Sequence, residues 1–172
     1  MSSTDTLAVP RPQPAAAEHP TGGALAALFR TPNESALTIA RITLGLVMFP
    51  HGAQKLLGWF GGFGFEGTMG FLTQSIGLPW ILGLTVILIE FFGSLALILG
   101  FAGRLMALGV AAVMVGAIAT THFANGFFMN WSGALPGEGF EFHLLAIGLA
   151  LAVIVRGSGA WSVDRVLARV RS

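Results

Sequence analysis

Four apolar runs dominate the chain, each long enough, or nearly so, to cross a bilayer as a helix. A helix rises about 1.5 Å per residue, so a hydrocarbon core of about 30 Å takes roughly 20 residues. The pattern predicts spans at about 32–57, 80–99, 104–124 and 140–155. The first opens on Thr31-Pro32-Asn33-Glu34, which offers an N-cap, a proline at the first helical position and an acid three residues after the cap. Only Gly100-Phe101-Ala102-Gly103 separates the second run from the third, which predicts a tight antiparallel hairpin. The connections 58–79 and 125–139 interleave aromatics with glycine, a composition suited to the membrane interface. Within the first connection, residues 66–76 put Met69, Leu72 and Ile76 on one face of a short surface helix. Residues 161–172 put Val163, Val166, Leu167 and Val170 on one stripe, with Arg165, Arg169 and Arg171 off it. That is the pattern of an interfacial helix, where anionic lipid attracts arginine.

Composition supports this reading. The chain of 172 residues is 54% hydrophobic and only 10% charged, against roughly 25% charged in soluble domains. The expected fold class is an all-α membrane protein: a four-transmembrane-helix bundle with short amphipathic surface helices. Its parts are an N-terminal tail at 1–30, a membrane domain at 31–160 and the amphipathic helix at 161–172. The first 23 residues hold Asp5, Arg11, Glu18 and four prolines, which predicts a disordered tail with no signal-peptide core. An apolar patch at 24–29 follows and suits the membrane surface. Eight arginines fall on one side of this topology and Lys55 alone on the other. The positive-inside rule then places both termini in the cytoplasm of a multi-pass inner (plasma) membrane protein. With no cysteine, this chain has no thiolate catalysis, no disulfide exchange and no iron–sulfur or zinc–thiolate site of its own. A net charge of +1 does not point to nucleic acid.

The candidate chemistry lies in the few ionisable residues that interrupt the apolar runs. Glu90 has ten uncharged residues on either side, which puts it near the bilayer midplane, where a carboxylate costs about 2.5–3.5 kcal/mol. It needs a partner, a task, or both. A helix turns about 100° per residue. Arg41, Leu44, Met48, His51 and Lys55 therefore form one stripe of the first span. Gly83, Glu90, Gly93, Ser94 and Leu97 form a small-residue face of the second. Arg104 and His122, eighteen positions apart, point the same way in the third. In the fourth, Glu141 shares a face with Leu145, Gly148 and Ala152, while His143 lies about 200° away and cannot share it. Small residues mark helix contacts and polar ones avoid lipid, so these stripes face a common axis. By depth, Arg41 lies about 7 Å from Glu90, which predicts a Glu90–Arg41 ion pair. Gln54, Lys55, His51, His122, Glu141 and His143 form a layer toward the outer face.

The same residues carry a family resemblance. Arg41-Ile42-Thr43-Leu44-Gly45 followed by His51-Gly52-Ala53-Gln54-Lys55-Leu56 resembles the opening span of the DoxX family. The resemblance runs on through Phe60-Gly61-Gly62, Glu90–Gly93, Gly100…Arg104, His122…Gly126-Phe127-Phe128, Glu138…Glu141-Phe142 and Gly157…Gly159…Ser162…Asp164. It covers roughly residues 36–165. It implies a four-helix bacterial inner-membrane protein; some relatives are tied to thiosulfate:quinone oxidoreduction and others to membrane-associated oxidoreductase complexes.

Three functions follow as expectations. The first is a subunit of a quinone-linked oxidoreductase system. His51, Glu90 and Arg41 would relay protons and hold charge, with Gln54, Lys55, Arg104, His122 and Glu141 lining the ligand site. No electron-carrying motif is present, so a redox partner subunit would bring the electrons, and no resident cofactor or metal is expected. The second is a non-enzymatic scaffold or a small carrier for protons or solute, working as a homo-oligomer. The third, the least favoured, is b-type haem held by two of His51, His122 and His143.

Overall fold

The computed structural model describes residues 29–170, and among them every regular element is a helix. Helix α1 is Ser35–Leu57. A 3₁₀ turn at Trp59–Gly61 leads to α2, Gly64–Gly70, which runs on into a π-helical turn, Phe71–Ser75. Helix α3 is Trp80–Leu99 and α4 is Gly103–Asn125. Helix α5 is Glu141–Arg156 and α6 is Val163–Val170. Among the described residues three helices, α1, α3 and α4, are long and apolar enough to cross a membrane. Helix α5 has 16 residues, about 24 Å, and packs lengthwise against α4. The four apolar runs are helical to within a few residues of their expected bounds. Most of the expected 1–30 tail, with the 24–29 patch, lies outside the described residues.

The start of α1 departs from expectation. The helix begins at Ser35, and Glu34 caps it without a side-chain hydrogen bond. Thr31 is used elsewhere: its Oγ1 accepts the Gly159 amide at 2.5 Å. A long-range contact has taken the hydroxyl that local sequence assigned to a cap.

The core is built from alanine, valine, leucine and methionine. Ala107, Val110, Ala111 and Met114 of α4 meet Ala146, Ala150 and Val153 of α5, with Leu44 and Met48 of α1 and Leu97 of α3 closing the cluster. A second cluster, Met69, Leu72 and Ile87, fixes α2 to α3. Helices α1 and α3 approach closest at two glycines. A Cβ on Gly45 would stand 2.7 Å from Ile98 Cγ1 and 2.8 Å from the Ser94 carbonyl oxygen. One on Gly52 would stand 2.5 Å from the backbone of Glu90 and Phe91. These contacts set the antiparallel register of the pair. Large apolar side chains outside the core, such as Leu46, Ile81, Leu108, Val115 and Leu151, are exposed on the helix surfaces, as lipid-facing residues must be.

A lysine–glutamate pair and a histidine cluster

Glu90 does not pair with Arg41, contrary to the sequence expectation; it pairs with Lys55, whose Nζ lies 2.5 Å from Glu90 Oε2. The register explains the difference. Arg41 stands level with Leu97 and Ile98, whose carbonyls accept from its Nη1 at 2.7 and 2.5 Å. Ile98 is eight residues beyond Glu90, about 12 Å along the axis. Side-chain direction widens the gap. Helical side chains tilt toward the helix N-terminus, so Arg41 leans away from Glu90. Lys55 and Glu90 sit on antiparallel helices and lean toward each other. Glu90 is buried, at 4% side-chain exposure, while Lys55 keeps 29%.

Arg41 is 1% exposed and fully employed. Besides Leu97 and Ile98, it donates to the Ser158 carbonyl from Nε at 2.7 Å and to Trp161 from Nη2 at 2.7 Å, with Ala160 at 3.4 Å. The acceptors are the C-terminal carbonyls of α3 and the turn before α6, where the helix dipole favours a cation. Beside this nest Asp164 accepts from the Ala102 and Gly103 amides at 2.6 and 2.9 Å, and from Ser158 Oγ at 2.6 Å. The carboxylate closes the N-terminus of α4 as the guanidinium closes the C-terminus of α3. Arg104 also lies at this end. It donates to the carbonyls of Ile154, of Val155 at 2.7 Å and of Arg30 at 3.1 Å. Arg41 and Arg104 are thus clamps on helix ends, away from Glu90. Sequence reasoning missed Asp164 and Ser158 as parts of this knot; their signal is the run Gly157-Ser158-Gly159…Ser162…Asp164.

The opposite end gathers the histidines. His51 lies one turn below Lys55 on α1, and its ring stands 5.7 Å from Phe142. The Phe142 ring is 5.6 Å from His143, and His143 is 4.1 Å from His122. His143 is 6% exposed, and its Nδ1 has no hydrogen-bond partner. His122 Nδ1 faces the Glu138 carbonyl at 2.9 Å. Both Glu90 and His122 fall in π-helical turns, Ile89–Gly93 and Ile118–His122, a distortion often found at functional sites.

Other expected site residues stand outside this cluster. Glu141 holds the outer loop, accepting from the Met129 amide at 2.9 Å and from Trp131 Nε1 at 3.2 Å. The expected inward face of α5 is reversed: Leu145 is 71% exposed and Gly148 is exposed, Glu141 bonds the outer loop, and His143, on the other side of the helix, turns to the interior. Gln54 donates to the Phe60 carbonyl at 3.3 Å. His122 and His143 are too close for a haem iron between their nitrogens. Metal–imidazole bonds of about 2 Å on opposite faces of a macrocycle need more separated rings. Among the described residues no group of three or more His, Asp or Glu could hold a metal. Two open clefts of about 530 and 420 Å³ flank α6 at the Arg41 end, and neither is lined by Glu90, Lys55 or a histidine. Neither of these two clefts reaches the Lys55–Glu90 pair, and the buried charge is the better guide to function.

Comparison with known proteins adds a family. The DoxX family model matches residues 36–123. The chain is 34% identical over 129 residues to "Inner membrane protein YqjF" of Escherichia coli (strain K12), covering 75% of this chain and 89% of that protein. It is 30% identical over 115 residues to "Putative oxidoreductase CatD" of Bacillus subtilis (strain 168), covering 67% of this chain and 75% of that one. No solved structure matches.

Proposed function

We propose that this chain, which belongs to the DoxX family of membrane proteins, is a subunit of a quinone-linked oxidoreductase system. In this reading it spans the bacterial inner membrane four times, with α5 as the fourth span and both termini in the cytoplasm. The observation that carries the reading is the buried Lys55–Glu90 pair, with His51 one turn away on α1 and His143 beyond Phe142. Quinone reduction delivers electrons and protons to two carbonyl oxygens. Lys55 supplies positive charge to an oxygen gaining electron density, and Glu90 and His51 are proton carriers within a short distance of it. Phe49 and Phe91, with ring centroids 5.5 Å apart, add an apolar aromatic wall next to Glu90. Electrons come from a partner subunit. The name of the Bacillus subtilis relative agrees with a redox role. Arg41, first expected in the site, is here a structural clamp.

Quinone difference spectroscopy on purified wild-type protein, His51→Ala and Glu90→Gln tests this. Binding is expected in the wild type and weakened at least roughly tenfold in both variants. Equal binding in all three proteins overturns the site. Proton or solute flux in proteoliposomes lacking any redox partner would favour the carrier reading.

A further inference from the structure

A buried histidine with an unpartnered nitrogen needs an explanation, since buried polar atoms are nearly always paired. His143 Nδ1 is such an atom. Its ring meets that of His122 at a tilt, with centroids 4.1 Å apart, and His122 reaches the outer loop through the Glu138 carbonyl at 2.9 Å. On its inner side the His143 ring is 5.6 Å from Phe142, which stands 5.7 Å from His51, one turn from Lys55 on α1, and Lys55 is bonded to Glu90. Three ionisable layers thus run from the buried pair to the loop that joins α4 to α5. At the other end of the bundle the buried ionisable groups are held differently. There Arg41 and Asp164 are both 1% exposed and committed to backbone groups.

We propose that His143 and His122 carry protons between the Lys55–Glu90 pair and the membrane face that holds the α4–α5 loop. The proposal rests on the polar site described above and adds its direction: protons exchange with that face and not with the Arg41 end. The transfer moves no electrons. A proton leaving the pair binds an imidazole nitrogen of His143, and His143 gives one up to His122. Donation from His122 Nδ1–H to the Glu138 carbonyl leaves Nε2 as the accepting nitrogen. His122 then releases a proton to water at the half-exposed loop. The charged groups around the path are Lys55, Glu90 and His51 inside. Outside, the Glu138 carboxylate is bonded to the Asn130 amide and Glu141 to Met129 and Trp131. Neither outer carboxylate is part of the relay.

The test is time-resolved infrared spectroscopy after a pH jump on purified, quinone-free protein in lipid nanodiscs. The Glu90 carboxyl band is identified by its loss in Glu90→Gln. His143→Phe keeps a ring against His122 and removes both nitrogens, and is expected to slow Glu90 protonation at least roughly tenfold. His122→Phe, at a half-exposed position, is expected to slow it in the same sense and guards against misfolding of the buried variant. Wild-type rates in both variants overturn the proposal, as does a wild-type Glu90 band that ignores the pH jump. No quinone is in the sample, so failure of quinone binding and failure of the relay are read separately.

Discussion

At the scale of single residues, the Lys55–Glu90 pair is asymmetric. Glu90 has nowhere to go, while Lys55 keeps 29% of its side chain exposed. Breaking a buried pair from one side strands the other charge. Lys55→Met should therefore cost on the order of 3–5 kcal/mol, and Glu90→Gln distinctly less, because the ammonium can turn outward. The measurement is denaturation of purified protein in mixed micelles, alongside membrane accumulation. Equal losses would contradict the asymmetry. Arg41 makes the complementary case. Its fork serves several carbonyls in fixed directions, and an ammonium has three donors and no plane. Arg41→Lys should lower membrane accumulation nearly as much as Arg41→Met, a comparison quantitative immunoblotting can make. The importance of both Arg41 and Glu90 was legible in the sequence as charge within apolar runs. Their partners were not. Depth counted along each span put Arg41 in reach of Glu90, but the true register and the N-terminal lean of helical side chains put Lys55 there.

At the scale of elements, glycine decides which helices touch. Gly52 lies where a methyl group would meet the Glu90 and Phe91 backbone at 2.5 Å, and no rotamer change relieves a backbone clash. Gly52→Ala should push α1 from α3 and separate Lys55 from Glu90. A clear drop in the thermal transition is expected. Gly116→Ala and Gly148→Ala meet nothing within 4 Å. They should be neutral or stabilising by up to about 1 kcal/mol through helix propensity. All three residues read alike as glycines in apolar helices; only the packing separates them. The helix positions themselves were legible from hydropathy. The π-helical turns at Glu90 and His122 were not, because one extra residue in a turn leaves the apolar pattern unbroken.

At the scale of the whole molecule, one end is tied and the other carries the ionisable cluster. Asp164 ties α6 to the α3–α4 turn, with its own amide donating to the Gly100 carbonyl at 2.9 Å. Asp164→Ala strands two backbone amides and a hydroxyl, each worth about 1–3 kcal/mol when buried and unmet. Faster limited proteolysis around residues 157–165 is the expected result. Glu34→Gln, which removes the exposed Arg156–Glu34 pair, should change proteolysis little, since such pairs contribute about 0–1 kcal/mol. Composition and periodicity alone determined an all-helical membrane chain, its apolar helices, the tight α3–α4 turn and the residues too costly to bury without reason. These follow from the energetics of lipid, which act on each segment separately. Tertiary structure alone decided that Arg41 clamps carbonyls, that Lys55 answers Glu90, and that His143 turns inward to His122 while Glu141 holds the loop. Those choices depend on the register between helices, and register is set by close backbone contact at a few glycines, which hydropathy does not record.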